Sequence, residues 1–251
     1  MLVLNKKRIF LAIIAIIIIV ILIIGSIYKD NKEYIIYNLY NLELNSNQKL
    51  IDYALNEYWL FAIIEERDLV DQELYKRYIY IYKLNDSSSK VRWEKVAEYD
   101  FTTVWPWKIE LGNLDYTDGP QIVMGVNKST YFDEEVSNRL FVFNWDGKKL
   151  YKKWTGTRLG YYLKDFYIMD FLNIAGEELV VIDQNQYGEE RLLVYYWLDF
   201  GFQLLAESDF YDIIENARCL DNNLLEITYR KQGEKLTSKL IIKGGWIIED
   251  D

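Results

Sequence analysis

The chain contains no histidine, one cysteine and two prolines in 251 residues. Each scarcity removes some chemistry. Without histidine the commonest general base is missing, and with it the usual hydrolytic triads. Zinc, which draws on histidine or on several cysteines, has no ligand set. Cys219 cannot form an internal disulfide, and its place between Arg218 and Leu220 in an apolar stretch reads as a buried, inert thiol. Positive charge is short as well: 29 basic residues face 39 acidic ones, for a formal net charge of −10. A chain of that sign repels phosphate backbones, which excludes nucleic acid as a partner.

Apolar and aromatic residues are abundant. With 22 Tyr and 8 Trp this is not the composition of a disordered stalk. Residues 9–28 carry no charge. At about 1.5 Å per helical residue such a run reaches roughly 30 Å, the hydrocarbon thickness of a bilayer. A cleaved secretory signal is the competing reading, but signal cores usually run about 7 to 15 apolar residues. The stretch after Gly25-Ser26 also offers no convincing small-x-small cleavage site. Lys6, Lys7 and Arg8 precede the run, and basic residues stay on the cytoplasmic side. The expected organisation is a cytoplasmic basic N-terminus at 1–8, a transmembrane signal-anchor helix at 9–28, a juxtamembrane linker at 29–48 and an extracytoplasmic domain at 49–251. That address is a single-pass cell-membrane protein with its N-terminus inside. With the three leading basic residues set aside, 26 basic residues face 39 acidic ones, a formal −13.

Beyond Tyr58 the vocabulary is that of strands. Trp59 to Ile64 and Tyr78-Ile79-Tyr80-Ile81-Tyr82 are aromatic and β-branched. Asp146-Gly147 between two apolar runs marks a hairpin. The vocabulary also repeats. Leu140-Phe141-Val142-Phe143-Asn144-Trp145 returns as Leu192-Leu193-Val194-Tyr195-Tyr196-Trp197, and Trp93 to Phe101 aligns with Phe202 to Phe210. A third recurrence relates Ile109 to Gly125 with Tyr167 to Val181. In each copy a strand enters a polar loop and an apolar strand leaves it.

A period of about fifty residues with about four strands points to propeller blades. The expected fold is all-β, a small β-propeller-like domain of about four blades, preceded by one N-terminal transmembrane α-helix. The blades fall near 50–105, 106–160, 161–210 and 211–251. A two-sheet sandwich is the alternative, because evenly spaced short strands predict both.

The segment Gly112-Asn113-Leu114-Asp115 through Gln121-Ile122-Val123 resembles the acidic loop motif of the FG-GAP (integrin-α-like) repeat family, and Asp170 through Glu178-Leu179-Val180 resembles a weaker copy. The chain looks like a bacterial, membrane-anchored member with degenerate calcium loops. The resemblance implies a propeller, often with calcium in its loops, serving as an extracellular recognition surface. Its matching ligand positions here are Asn113, Asp115, Thr117 and Gln121, which supply one negative charge, whereas calcium takes six to eight oxygens, several of them anionic. The second copy places Asp170, Leu172, Ile174 and Glu178 there, and two of these cannot ligate. Both loops therefore read as tight turns closed by hydrogen bonds. No cofactor is expected, and calcium at the first loop is the one candidate.

Glu65-Glu66-Arg67-Asp68, Asp133-Glu134-Glu135 and Glu189-Glu190-Arg191 could be glycosidase carboxylate pairs, but charge runs between strands are usually solvated loops. Trp105, Trp107 and Trp154 could stack on a carbohydrate, or pack in the core. Asn127-Lys128-Ser129 fits a glycosylation sequon, whose meaning depends on the host. No catalytic residue is assigned. The expected function is a non-catalytic binding or interaction module, with the membrane and a protein or cell-wall glycan as partners. A carboxylate-based glycan-active enzyme and a structural subunit of a membrane complex are the alternatives.

Overall fold

The computed structural model describes residues 42–85, 92–117, 119–131, 133–156, 158–170, 172, 174, 176–221 and 223–250. The chain divides into two compact units, residues 1–44 with 84–94 and residues 45–83 with 95–251. In the first unit, the Asn85 side-chain amide donates to Glu94 at 3.5 Å. The second unit carries the apolar clusters, the loops and the clefts that follow.

Sixteen strands make up the described fold. They are β1 (Gln48–Leu55), β2 (Trp59–Arg67), β3 (Tyr75–Asn85), β4 (Arg92–Asp100), β5 (Pro106–Gly112), β6 (Gln121–Thr130), β7 (Asp133–Trp145) and β8 (Leu150–Thr155), followed by β9 (Tyr162–Met169), β10 (Glu178–Gln184), β11 (Glu190–Leu198), β12 (Gly201–Ser208), β13 (Ile213–Asp221), β14 (Leu224–Lys231), β15 (Glu234–Lys243) and β16 (Trp246–Glu249). Each period of the sequence forms one four-stranded meander, and the recurring segments occupy equivalent strands: β4 and β12, β5–β6 and β9–β10, β7 and β11. The hairpin at Asp146-Gly147 lies between β7 and β8, where the Asp146 carboxylate accepts the Lys148 and Lys149 amides at 2.8 and 2.7 Å.

The continuous apolar runs have a simple cause, because the middle sheets are buried on both faces. Successive side chains of a strand point to opposite faces. On β6, Ile122, Met124 and Val126 pack with Phe61, Ile63, Ile79 and Ile81 of the first meander, while Val123 packs towards the third with Leu179 and Leu193. On β10 the same alternation sends Leu179 and Val181 one way, and Val180 and Ile182 the other, against Leu225, Ile227 and Leu240. The fourth meander is covered on one face only. Accordingly β14 alternates between buried Leu225, Ile227 and Tyr229 and more exposed neighbours.

The four-blade propeller preceded by a helix is not what the structure contains. The strands form three sheets: β1–β4, β5–β8, and one eight-stranded sheet in the order β13-β14-β15-β16-β12-β11-β10-β9. The fusion occurs where β12 pairs parallel to β16 through Glu207 with Trp246 and Ser208 with Ile247. This sheet folds back on itself into a nearly closed barrel, bringing the Cys219 thiol of β13 to 3.6 Å from the carbonyl of Asp170 just beyond β9. The apolar clusters join the first meander to the second, the second to the third and the third to the fourth. Among the described residues no such cluster returns from the fourth to the first. A propeller needs separate blades closed in a ring, and edge pairing has used two of the four for a barrel.

The single-pass membrane address also needs correction. The described residues contain strands and no helix, and none of them forms a helix long and apolar enough to cross a membrane. The expected signal anchor at 9–28, the N-terminus at 1–8 and the linker up to residue 41 lie outside the described residues. The membrane, anchor and propeller readings therefore gain no support from the structure.

Candidate functional site

The β5–β6 loop holds all four of the residues singled out as calcium positions. Gln121, the first residue of β6, is almost wholly buried and reaches back across the loop. Its side-chain carbonyl accepts the Leu114 amide at 2.7 Å, and its NH2 donates to the Asp115 carboxylate at 2.9 Å, the Thr117 hydroxyl at 2.9 Å and the Gly119 carbonyl at 3.3 Å. Thr117 donates its hydroxyl to the same Asp115 oxygen at 2.7 Å. The second oxygen of Asp115 is ion-paired with Lys153 of β8. Burial pushes the Asp115 carboxyl up, but hydrogen bonds from Lys153 and from the Thr117 hydroxyl and amide together hold it below the usual range. Asn113 is bound through its backbone: its amide donates to the Glu177 carboxylate and its carbonyl accepts the Glu177 amide at 2.9 Å.

This donor set does not fit calcium. The Gln121 NH2 points donors at the oxygens a cation would need, and an ammonium already neutralises the one carboxylate. Among the described residues no group of three or more acidic or sulfur ligands could hold a metal ion.

The β9–β10 loop repeats the device in a simpler form. Glu178 begins β10, is fully buried, and accepts the Leu172 amide at 3.1 Å, as Gln121 accepts that of Leu114. Asp170 is exposed, and Ile174 is 43% exposed. The two loops touch at Gly176, which adopts φ +92°; a Cβ there would lie 2.3 Å from the Leu114 carbonyl oxygen.

A charge cluster that local sequence did not show forms along the first strands of the meanders. Lys108 of β5 donates to Asp165 of β9 at 2.7 Å and to the Phe166 carbonyl at 2.6 Å, and lies 3.4 Å from Glu110. Its ammonium also sits 4.1 Å from the centre of the Tyr167 ring, whose hydroxyl donates to Asp165 at 3.0 Å. Asp52 of β1 accepts the Ile109 amide at 2.8 Å. Burial raises the Asp52 and Glu110 carboxyls, opposed by the Ile109 amide at Asp52 and by Lys108 at both. Spacing could not have found this set, because its members come from three different periods.

Members of each acidic run are held in ion pairs. Glu65 meets Arg77 at 2.9 Å; Asp133 binds both Arg139 and Arg158; Glu190, fully buried, pairs with Lys164 and accepts the Ile214 amide at 2.7 Å. Trp107 packs edge-on to Phe166, Trp154 edge-on to Phe202, and Trp105 lies under the Arg77 guanidinium at 4.4 Å, so all three candidate tryptophans are packing residues.

Two clefts open at the end of the meanders opposite the Asp115 loop. One, of about 420 Å³, lies between the second and third meanders and is lined by Asn127, Ser137, Asn138, Tyr162, Lys164 and Gln184, among others. The other, of about 370 Å³, is lined by Phe210, Tyr211, Asp212, Tyr229, Lys231 and neighbours. The hairpins at the same end carry Val70 at 95% exposure, Tyr131 at 91% and Tyr187 at 80%.

No family model matches the chain, and no curated protein does. A solved structure of a Xanthomonas type IV secretion system related protein is similar over 84% of this chain and 97% of that one, at 10% identity and a TM-score of 0.31. A likeness that distant carries no argument about fold or function.

Proposed function

We propose that the domain is a non-catalytic binding module whose recognition surface is the end bearing the β2–β3, β6–β7 and β10–β11 hairpins. The observation that carries this reading is the gathering, at one end, of both clefts and of three of the four most exposed apolar and aromatic side chains, Val70, Tyr131 and Tyr187, with Phe200 in the β11–β12 turn at the other end. Exposed apolar groups collected in one place mark interaction surfaces. The carboxyls raised by burial, Asp52 and Glu110, line neither cleft, and Lys108 and the Ile109 amide engage them. An acid and base poised for glycoside hydrolysis would face the substrate.

The larger cleft suits a hydroxyl-rich ligand such as a glycan. Asn127 donates to the Asn138 side-chain carbonyl at 2.8 Å and Asn138 to the Leu163 carbonyl at 2.9 Å, which leaves the Asn127 side-chain carbonyl to accept a sugar hydroxyl. Lys164 adds a donor and Tyr162 an aromatic face. Calorimetric titration of the full-length chain with soluble cell-wall oligosaccharides is the test. Saturable binding, weakened about tenfold or more by Tyr162→Ala, is expected; flat isotherms for the unaltered chain would remove the glycan reading.

A further inference from the structure

We infer that Lys153 is the built-in cation of the Asp115 loop: its ammonium does the work of a bound metal ion, so the domain is indifferent to calcium. The Asp115 carboxylate, the Thr117 hydroxyl and the Gly119 carbonyl converge on the Gln121 NH2, and Lys153 supplies the positive charge at the remaining Asp115 oxygen. Asp115 and Thr117 lie side by side, joined through Gln121, and the backbone of 113–114 is drawn in by Glu177 and Gln121. Asp115 presents its second oxygen to Lys153, and both side chains are largely buried, at 14% and 13% exposure. A largely buried carboxylate left without a cation is costly.

Lys153 comes from β8, the fourth strand of the same meander, and β8 also carries Trp154. The ammonium lies 4.9 Å from the centre of the Trp197 ring of β11, so its stem is held between two meanders. A metal ion would have to displace this lysine and also turn the Gln121 NH2 away from Asp115. The tether makes the cation local, at an effective concentration set by the fold and not by the solution.

Thermal unfolding of the full-length chain tests this with Lys153→Met, which keeps the stem and removes the charge, alongside Lys153→Arg, Asp115→Asn and the double variant Lys153→Met/Asp115→Asn. The unaltered chain is expected to melt at one temperature in chelator and in millimolar calcium. Lys153→Met should lower Tm by about 5 °C, a shift typical of losing a largely buried pair in a domain of this size. Lys153→Arg should recover most of that loss. The double variant should melt no lower than Lys153→Met alone, because the two residues act as one unit. A calcium-dependent rise in Tm of the unaltered chain would overturn the inference. So would a Lys153→Met variant as stable as the unaltered chain, or additive losses in the double variant, since a lysine that only packs on Trp197 would give those results.

Discussion

The β5–β6 and β9–β10 loops occupy the same place in consecutive meanders and solve one problem differently. Each must satisfy a loop amide next to a buried strand, and each does so with the first side chain of the outgoing strand, Gln121 or Glu178. In the first loop that side chain is an amide that also donates, so it can bind Asp115 and Thr117 and needs only Lys153 to complete the charge balance. In the second the corresponding side chain is itself the carboxylate, and the loop leans on its neighbour through Gly176 and Glu177. A turn position can thus keep its geometry while its chemistry changes, provided the loop amide finds an acceptor on the outgoing strand.

The comparison breaks most completely at the contact between the loops. Gly176→Ala forces a Cβ into the Leu114 carbonyl at a positive φ and is expected to cost about 3 kcal/mol, read from urea unfolding. A variant as stable as the unaltered chain would show that the loops do not depend on each other. Next in size is Gln121→Leu, which strands the Leu114 amide and strips donors from Asp115. About 2 kcal/mol is expected, and Gln121→Glu should recover little of it, because it returns an acceptor but puts a second carboxylate beside the first.

The smallest effect sharpens the contrast between the loop and the Lys108 cluster through pH. Asp115 has a carboxyl held below its ordinary 3.8, so the stability it contributes is present above that value and is lost as pH falls through the lower, folded value. Asp52 and Glu110 are raised above 3.8 and 4.5, so their contribution is full below those values and is lost as pH rises through the folded ones. Asp115→Asn should therefore destabilise at pH 7 and converge on the unaltered chain in acid. Asp52→Asn should be equal or slightly more stable at pH 7, by less than about 1 kcal/mol, and lose that margin towards pH 4. Denaturant midpoints across pH 3 to 8 distinguish the two, and parallel curves would contradict the opposite shifts.

Much of this was local and therefore legible. Runs such as Tyr78 to Tyr82 and Leu140 to Phe143 are built from β-branched and aromatic residues that suit strands, and they lie in β3 and β7. The fifty-residue spacing follows from one meander per period, and Asp146-Gly147 is a turn in its own right. The loop residues 113–121 were legible as a unit, but their roles were not. Gln121 looks like an oxygen donor to a metal and acts as much through its NH2, and Lys153 stands 38 residues from the aspartate it meets. The Lys108 cluster was invisible for the same reason, since Asp52 and Asp165 reach it from other periods.

From its sequence alone, then, the strand content, the period, the turn positions and the unfitness of the chain for histidine or zinc chemistry were determined, because each depends on residue type and near neighbours. Tertiary structure decided how the periods assemble. Every meander ends in an edge strand with free backbone groups, and such edges pair with whatever comes within reach. Here β12 meets β16 and closes two periods into a near-barrel instead of a ring. That choice, and with it which side chains face a cleft and which face Lys153, rests on contacts between residues far apart in the chain.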